Sequence, residues 1–149
     1  MPDVEAGNWS FSDLYVGGKS AKKTRRPENG FFYPEAVEVD KPTYFDPSRW
    51  FIVAEGDLPE NVRNIEDATV NFCHFWVDEH SRIASYDPAT RKAYFDGRTR
   101  MTITATRDRA GTMAYYIENL PDDFKNPGEW YLDRPTGMLY YLPKDDETA

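Results

Sequence analysis

The sequence predicts an all-β fold, either a β-sandwich or an open barrel of short, mostly antiparallel strands with one or two helical turns. Two observations predict it. Apolar, aromatic and β-branched residues recur in short runs, whereas helical periodicity is nearly absent along the 149 residues. Gly, Pro, Asp and Asn separate these runs, as they do in chains with many turns.

The short runs predict strands because they combine β-branched or aromatic side chains with two-residue alternation. In chain order, the predicted strands cover residues 11–16, 19–24, 31–39, 50–54, 68–77, 82–86, 92–95, 101–106, 115–118, 130–132 and 138–142. Single helical turns are predicted at 56–62, with Asp57 as N-cap, and at 122–125.

Tight turns predict that neighbouring strands form antiparallel hairpins. Gly17-Gly18 suits a two-residue turn, because both positions of such a turn require positive φ. Asp87-Pro88 favours a type I turn between the strands at 82–86 and 92–95. Asp133 to Gly137 closes the last hairpin, with Pro135 fixing one φ and Gly137 free to adopt positive φ.

The segment 68–77 is predicted to be the central strand because it is the longest and most apolar. Trp76 within it and Trp130 near the end are predicted to be buried anchors of the core. Cys73 is the only cysteine, so an internal disulfide is impossible, and we expect a small buried hydrophobe. Residues 1–149 are predicted to form a single domain with an ordered core at about 9–143 and loose polar ends.

Charge excludes some classes of partner. The net charge of −8 and the pI near 4.8 argue against nucleic acid or an anionic membrane as the main partner. No run is long enough for a transmembrane helix, and no signal peptide is recognised. A local basic run is predicted to be a solvated edge strand guarded by lysine, rather than a glycan patch or an import signal. It comprises Lys19, Lys22, Lys23, Arg25 and Arg26.

Five segments follow one another in a recognisable order: residues 11–27, 56–58, 72–83, 116–120 and 126–143. They are similar to the patterns LFVNG.R...AR.PN, GDL,..HSW..SRHRI, Y.EN. and PGEWYLDR.TG.LYY.P. In this order the segments resemble an inserted β-rich domain of right-handed parallel β-helix proteins grouped around glycoside hydrolase family 141. Gly17 stands where Asn is usual, Lys23 where Ala is common, and Phe75 replaces Ser.

The resemblance implies a non-catalytic accessory domain that shapes the substrate cleft of a larger carbohydrate-active protein. In such proteins the catalytic carboxylates lie on β-helix coils, so no catalytic residue is carried over to this chain. The expected partners are the β-helix domain of a parent chain and a polysaccharide or oligosaccharide, with the parent secreted or periplasmic. Two alternatives are an independent carbohydrate-binding module and, third, a self-contained glycoside hydrolase.

One dense cluster of polar residues is the candidate site: His74, Trp76, Asp78, Glu79 and His80. Asp78-Glu79 is predicted to be a turn after the central strand. The cluster lacks an established metal-ligand spacing, so no metal or cofactor is expected. The functional interpretation is contact with a glycan or with the parent domain; the structural one is a core Trp beside a hydrogen-bonded His.

Glu118 and Glu129 are a second candidate pair. Two carboxylates about 5–9 Å apart can perform glycosidase chemistry. The preferred interpretation is structural: Glu118, Asn119 and Glu129 hydrogen-bond free backbone groups of the Pro-Gly loop.

Overall fold

The computed structural model describes residues 1–38, 46–74, 76–105 and 113–147. It confirms the all-β prediction. The strands are β1 (Leu14–Val16), β2 (Lys19–Lys23), β3 (Arg25–Arg26), β4 (Ala36–Val37), β5 (Trp50–Ile52), β6 (Thr69–Cys73), β7 (Asp78–Asp87), β8 (Lys92–Phe95), β9 (Ala114–Glu118), β10 (Glu129–Asp133) and β11 (Met138–Tyr141). A short helix α1 (Pro2–Glu5) precedes them, and single 3₁₀ turns lie at Ile65–Asp67 and Pro121–Asp123.

The larger sheet has seven strands in the order β3-β9-β6-β7-β8-β5-β4, and its neighbouring strands are antiparallel. As predicted, β6 is a central strand. Its alternation places Val70 and Phe72 in the main core and Asn71 on the opposite face. Phe51 packs edge-on against Phe72, with ring centroids 5.5 Å apart. The sheet therefore has one apolar face and one polar face.

The smaller sheet has four strands in the order β1-β2-β10-β11. The predicted Gly17-Gly18 and Asp133–Gly137 hairpins are present, with Val16 opposite Lys19 and Asp133 opposite Met138. Strands β2 and β10 pair in parallel. The lysines of the basic run therefore lie on an interior strand, where the predicted edge position is wrong. Arg25 and Arg26 of the same run form β3, which is an edge strand of the larger sheet, as predicted.

The smaller sheet has its own apolar cluster around Trp130 and Leu132. Val4 of α1 packs into this cluster and is 1% exposed. The Met1 ammonium group donates a hydrogen bond of 2.6 Å to the Gly137 carbonyl oxygen. The prediction of a loose N-terminus is therefore wrong, because a single apolar side chain in the first turn docks this segment on the sheet.

Asn119 connects the two sheets. It follows β9 with φ of 67°, in the left-handed region that Asn tolerates better than most residues. Its side-chain amide donates to the carbonyl oxygens of Asp67 and Leu132, at 3.1 and 2.9 Å, and its Oδ1 accepts from the Leu132 N–H at 2.9 Å. Arg134 and Asp67 add an ion pair of 2.8 Å to the same junction.

Trp76 lies beyond the end of β6 and is 64% exposed, so the prediction that it is buried in the core is wrong. Trp130, at 1% exposure, confirms the other prediction. Cys73 is only partly buried, because it ends β6 on the polar face.

Other elements differ from prediction where local patterns were weak. Residues 101–105 form no strand, although Ile103 is fully buried. The segment 56–62 forms turns, and the helical turn occurs at Ile65–Asp67 instead. The predicted strand at 31–39 is reduced to a Phe32 bridge and β4, while the predicted helical turn at 122–125 is present at Pro121–Asp123. Positions 39 and 106, at the ends of two predicted strands, lie outside the described residues.

In the described part of the chain, no helix is long and apolar enough to span a membrane.

Candidate functional site

His74, Trp76 and Val77 lie between β6 and β7 and carry the start of the predicted site. The His74 N–H donates to the Val77 carbonyl oxygen at 2.9 Å, and Cys73 pairs with Asp78 across the hairpin. Asp78 and Glu79 begin strand β7, so the predicted turn at these positions is wrong. Trp76 lies exposed in the loop, and Phe75 lies outside the described residues.

The two-residue alternation of β7 divides the predicted cluster between two faces. Glu79 lies on the core side of the sheet, whereas Asp78 and His80 are exposed on the polar side. His74 Nε2 lies 3.1 Å from Glu79 Oε2, and both side chains are only 7% exposed. The five residues therefore do not form one site.

Glu79 holds a neighbouring loop in place. Its carboxylate accepts hydrogen bonds from the backbone N–H groups of Arg100, at 2.5 Å, and Met101, at 3.0 Å. Burial acts to raise the pKa of Glu79, but the hydrogen bonds from His74 and these two N–H groups outweigh it and hold the pKa below its usual value. This network is structural, as the alternative interpretation of His74 expected.

The polar face of the larger sheet forms a groove of about 720 Å³. Its floor comes from β9, β6 and β7, and its walls come from residues 10–13, β2 and the β10–β11 hairpin. The lining residues are Ser10, Phe11, Ser12, Asp13, Lys23, Asp67, Thr69, His80, Tyr116, Glu118, Asn119, Leu132 and Arg134. Of the predicted cluster at 74–80, His80 lines this groove; Glu118 and Asn119, from the second candidate set, line it as well.

Strand register places the groove side chains in two rows. Asn71 is opposite Tyr116 on one side and His80 on the other, while Thr69 is opposite Glu118. Directly paired side chains in a sheet lie about 5 Å apart at Cβ. Asn71 Nδ2 donates to Glu118 Oε2 at 3.1 Å and thereby orients that carboxylate.

The groove also contains the partly buried ammonium group of Lys23. Burial lowers the pKa of Lys23, against the opposing attraction of the Glu118 and Asp13 carboxylates. Its Nζ lies 4.9 Å from the centre of the Trp130 ring. On the same face, the Arg25 guanidinium lies 4.3 Å from the centre of the Tyr116 ring.

Glu129 has a structural role separate from the groove. It is 2% exposed and accepts hydrogen bonds from the N–H groups of Lys125 and Asn126, at 3.2 and 2.9 Å. Burial acts to raise its pKa, but Asn126, Lys125 and the Lys22 charge lower it overall. This confirms the preferred interpretation of Glu129 as a loop acceptor.

Sequence reasoning missed most of the groove lining, including Thr69, Tyr116 and Arg134. Alternation within β6 and β9 indicates which side chains share a face, but strand order is needed to bring them together. In the described ranges, no three His, Cys, Asp or Glu side chains converge as a metal site would require.

Comparison with known proteins shows the fold. A solved structure titled "Glycoside hydrolase" is similar to this chain with a TM-score of 0.60 and 20% sequence identity. The similarity covers 93% of this chain and 25% of that chain, so this chain spans a quarter of its neighbour's length. No family model matches the chain, and no curated protein matches it.

Proposed function

We propose that the chain is a non-catalytic accessory domain of a carbohydrate-active protein and helps to shape that protein's substrate cleft. The supporting observation is the coverage of the structural similarity: nearly all of this chain corresponds to only a quarter of a glycoside hydrolase. Most of the length of that glycoside hydrolase has no counterpart in this chain. The resemblance to the family 141 insertion domain agrees with this proposal.

The state of the buried carboxylates supports a non-catalytic role. A glycosidase acid needs a raised pKa, and its partner carboxylate must face the scissile bond. The pKa values of Glu79 and Glu129 are lowered, and both side chains are occupied by backbone N–H groups. Burial raises the pKa of Asp67, but its two oxygens accept hydrogen bonds from Arg134.

The proposed contact surface uses the exposed members of the predicted cluster. Trp76, Asp78 and His80 face solvent and are available to a glycan or to a β-helix domain of a parent chain. The buried side chains of His74 and Glu79 contact each other and stabilise the β6–β7 hairpin. We also propose that the parent protein is secreted or periplasmic.

Hydrolysis assays on the purified chain test this proposal. We expect no release of product from a panel of aryl glycosides and plant or host polysaccharides. Glu118→Gln is the informative variant, because it keeps an acceptor for Asn71 and removes the groove carboxylate that Asn71 orients. Reproducible hydrolysis that this variant abolishes would establish a self-contained enzyme and overturn the accessory role.

The second candidate is an independent carbohydrate-binding module, which the exposure of Trp76 favours. Exposed aromatic rings stack on the apolar faces of sugars. A glycan array with the unaltered chain and the Trp76→Ala variant separates the candidates. Strong binding that is lost in the variant would favour the module, whereas weak or absent binding is expected of a domain that completes another protein's cleft.

A further inference from the structure

We propose that the groove on the polar face of the larger sheet binds a single neutral sugar unit, held mainly by Glu118, His80 and Lys23. The ligand class rests on the proposed carbohydrate-related function, whereas the position and the preference for a neutral ligand come from the groove itself. The groove is a different surface from the β6–β7 hairpin that carries Trp76. The two surfaces share His80 and the adjacent strand β6.

The size and composition of the groove suit a small polyhydroxylated ligand. Ligand pockets typically enclose about 300–1,000 Å³ and place a few polar groups within a partly apolar lining. Here the volume is about 720 Å³, and Phe11 and Leu132 supply the apolar part. Lys23 can donate hydrogen bonds and Glu118 can accept them, while the two ring nitrogens of His80 offer further hydrogen-bonding positions. Sugar hydroxyl groups likewise donate and accept.

The charges of the lining favour a neutral ligand over an anionic one. Asp67 and Arg134 pair with each other at 2.8 Å. Asp13 and Glu118 then face Lys23 as the remaining charged groups. This balance repels a phosphate or a uronate carboxylate, and a hydroxyl avoids the desolvation penalty of a charge.

The donor and the acceptor of the site are both held in place by neighbouring groups. The Lys23 Nζ lies 4.9 Å from the centre of the Trp130 ring, and burial lowers the pKa of Lys23 against the attraction of the Glu118 and Asp13 carboxylates. Asn71 is fully buried beneath the groove and donates from Nδ2 to Glu118 Oε2 at 3.1 Å, which orients the carboxylate that faces the ligand.

The experiment is a titration followed by amide chemical shifts in two-dimensional NMR spectra. The probes are neutral methyl glycosides of glucose, galactose and xylose, compared with glucuronate and inorganic phosphate. We expect saturable millimolar binding of at least one neutral glycoside, with the largest shifts at Thr69, Asn71 and Glu118. Glu118→Gln and His80→Ala should each weaken binding by roughly fivefold, the factor expected for one lost hydrogen bond.

Glu60→Gln is the matched control, since Glu60 is exposed and lies outside the groove lining. It should bind as the unaltered chain does, and thermal melts check that each variant is folded. Absence of shifts in the groove, tighter binding of glucuronate or phosphate, or binding unaffected by both groove variants would each overturn the proposal.

The two proposals fail in different ways. Lack of sugar binding, together with lack of hydrolysis, would refute the groove site and leave the accessory role intact. Glu118-dependent hydrolysis would refute the accessory role, while a sugar seated in the groove would still be observed.

Discussion

Replacement of Trp130 by Ala tests how the smaller sheet is held together. The indole is 1% exposed, stacks on Phe11 with ring centroids 5.4 Å apart, and donates from Nε1 to the Ala21 carbonyl oxygen at 3.3 Å. Deletion of a core aromatic side chain costs about 3–5 kcal/mol, and the stacked pair adds roughly 0.5–1.5 kcal/mol. We therefore expect a loss near the upper end, about 4–5 kcal/mol.

Urea unfolding followed by far-ultraviolet circular dichroism measures this change in the free energy of unfolding. Trp76→Ala is the matched control because the same side chain is removed from a position that is 64% exposed. That variant should lose less than about 1 kcal/mol, as surface substitutions usually do. A loss below about 1 kcal/mol for Trp130→Ala, or equal losses for both variants, would refute the assignment of Trp130 as the anchor.

Three further predictions concern stability. Asn119→Ala should lower the free energy of unfolding by about 3 kcal/mol. Asn119→Gly should lower it by about 1 kcal/mol less, because Gly accepts the φ of 67° at this position. Equal losses for the two variants in urea unfolding would contradict this prediction. Glu129→Gln should destabilise the chain at neutral pH, and the difference from the unaltered chain should shrink as the pH falls below the unfolded pKa. Because the pKa of Glu129 is lower in the folded chain, its carboxylate stabilises the fold above the unfolded-state pKa of about 4.3. That stability is lost as the pH falls through the folded-state pKa. A difference in melting temperature between variant and unaltered chain that does not change with pH would refute this prediction. Val4→Ala should cost about 2 kcal/mol, and an unchanged unfolding curve would show that α1 does not dock.

Local signals in the sequence were sufficient for the hairpins. Gly17-Gly18 and the Asp133–Gly137 turn each specify a connection between adjacent strands, and both are present. The apolar content of 68–77 similarly identified β6 as central. The pattern failed at Trp76, because the strand ends at Cys73 and the apolar run continues into an exposed loop.

Non-local pairing accounts for the other differences. Nothing near β2 in the sequence indicates that it pairs in parallel with β10, so its lysines were assigned to an edge. The candidate cluster at 74–80 is predicted as the end of a strand and a turn, whereas its alternation across two faces depends on β7 starting at Asp78. The groove requires Lys23, Thr69 and Glu118 from distant strands, and their combination has no local signature.

The parallel pairing of β2 with β10 has a consequence during protein synthesis. Ala21 and Trp130, joined by a hydrogen bond, are 109 positions apart. At about 5–20 residues per second, the ribosome needs on the order of 10 s to bridge that interval. Throughout that time the nascent β1–β2 hairpin presents an unpaired edge and the apolar side chains of Leu14 and Ala21. The acidic character of the whole chain and the lysines of this hairpin would then discourage premature association with other nascent chains.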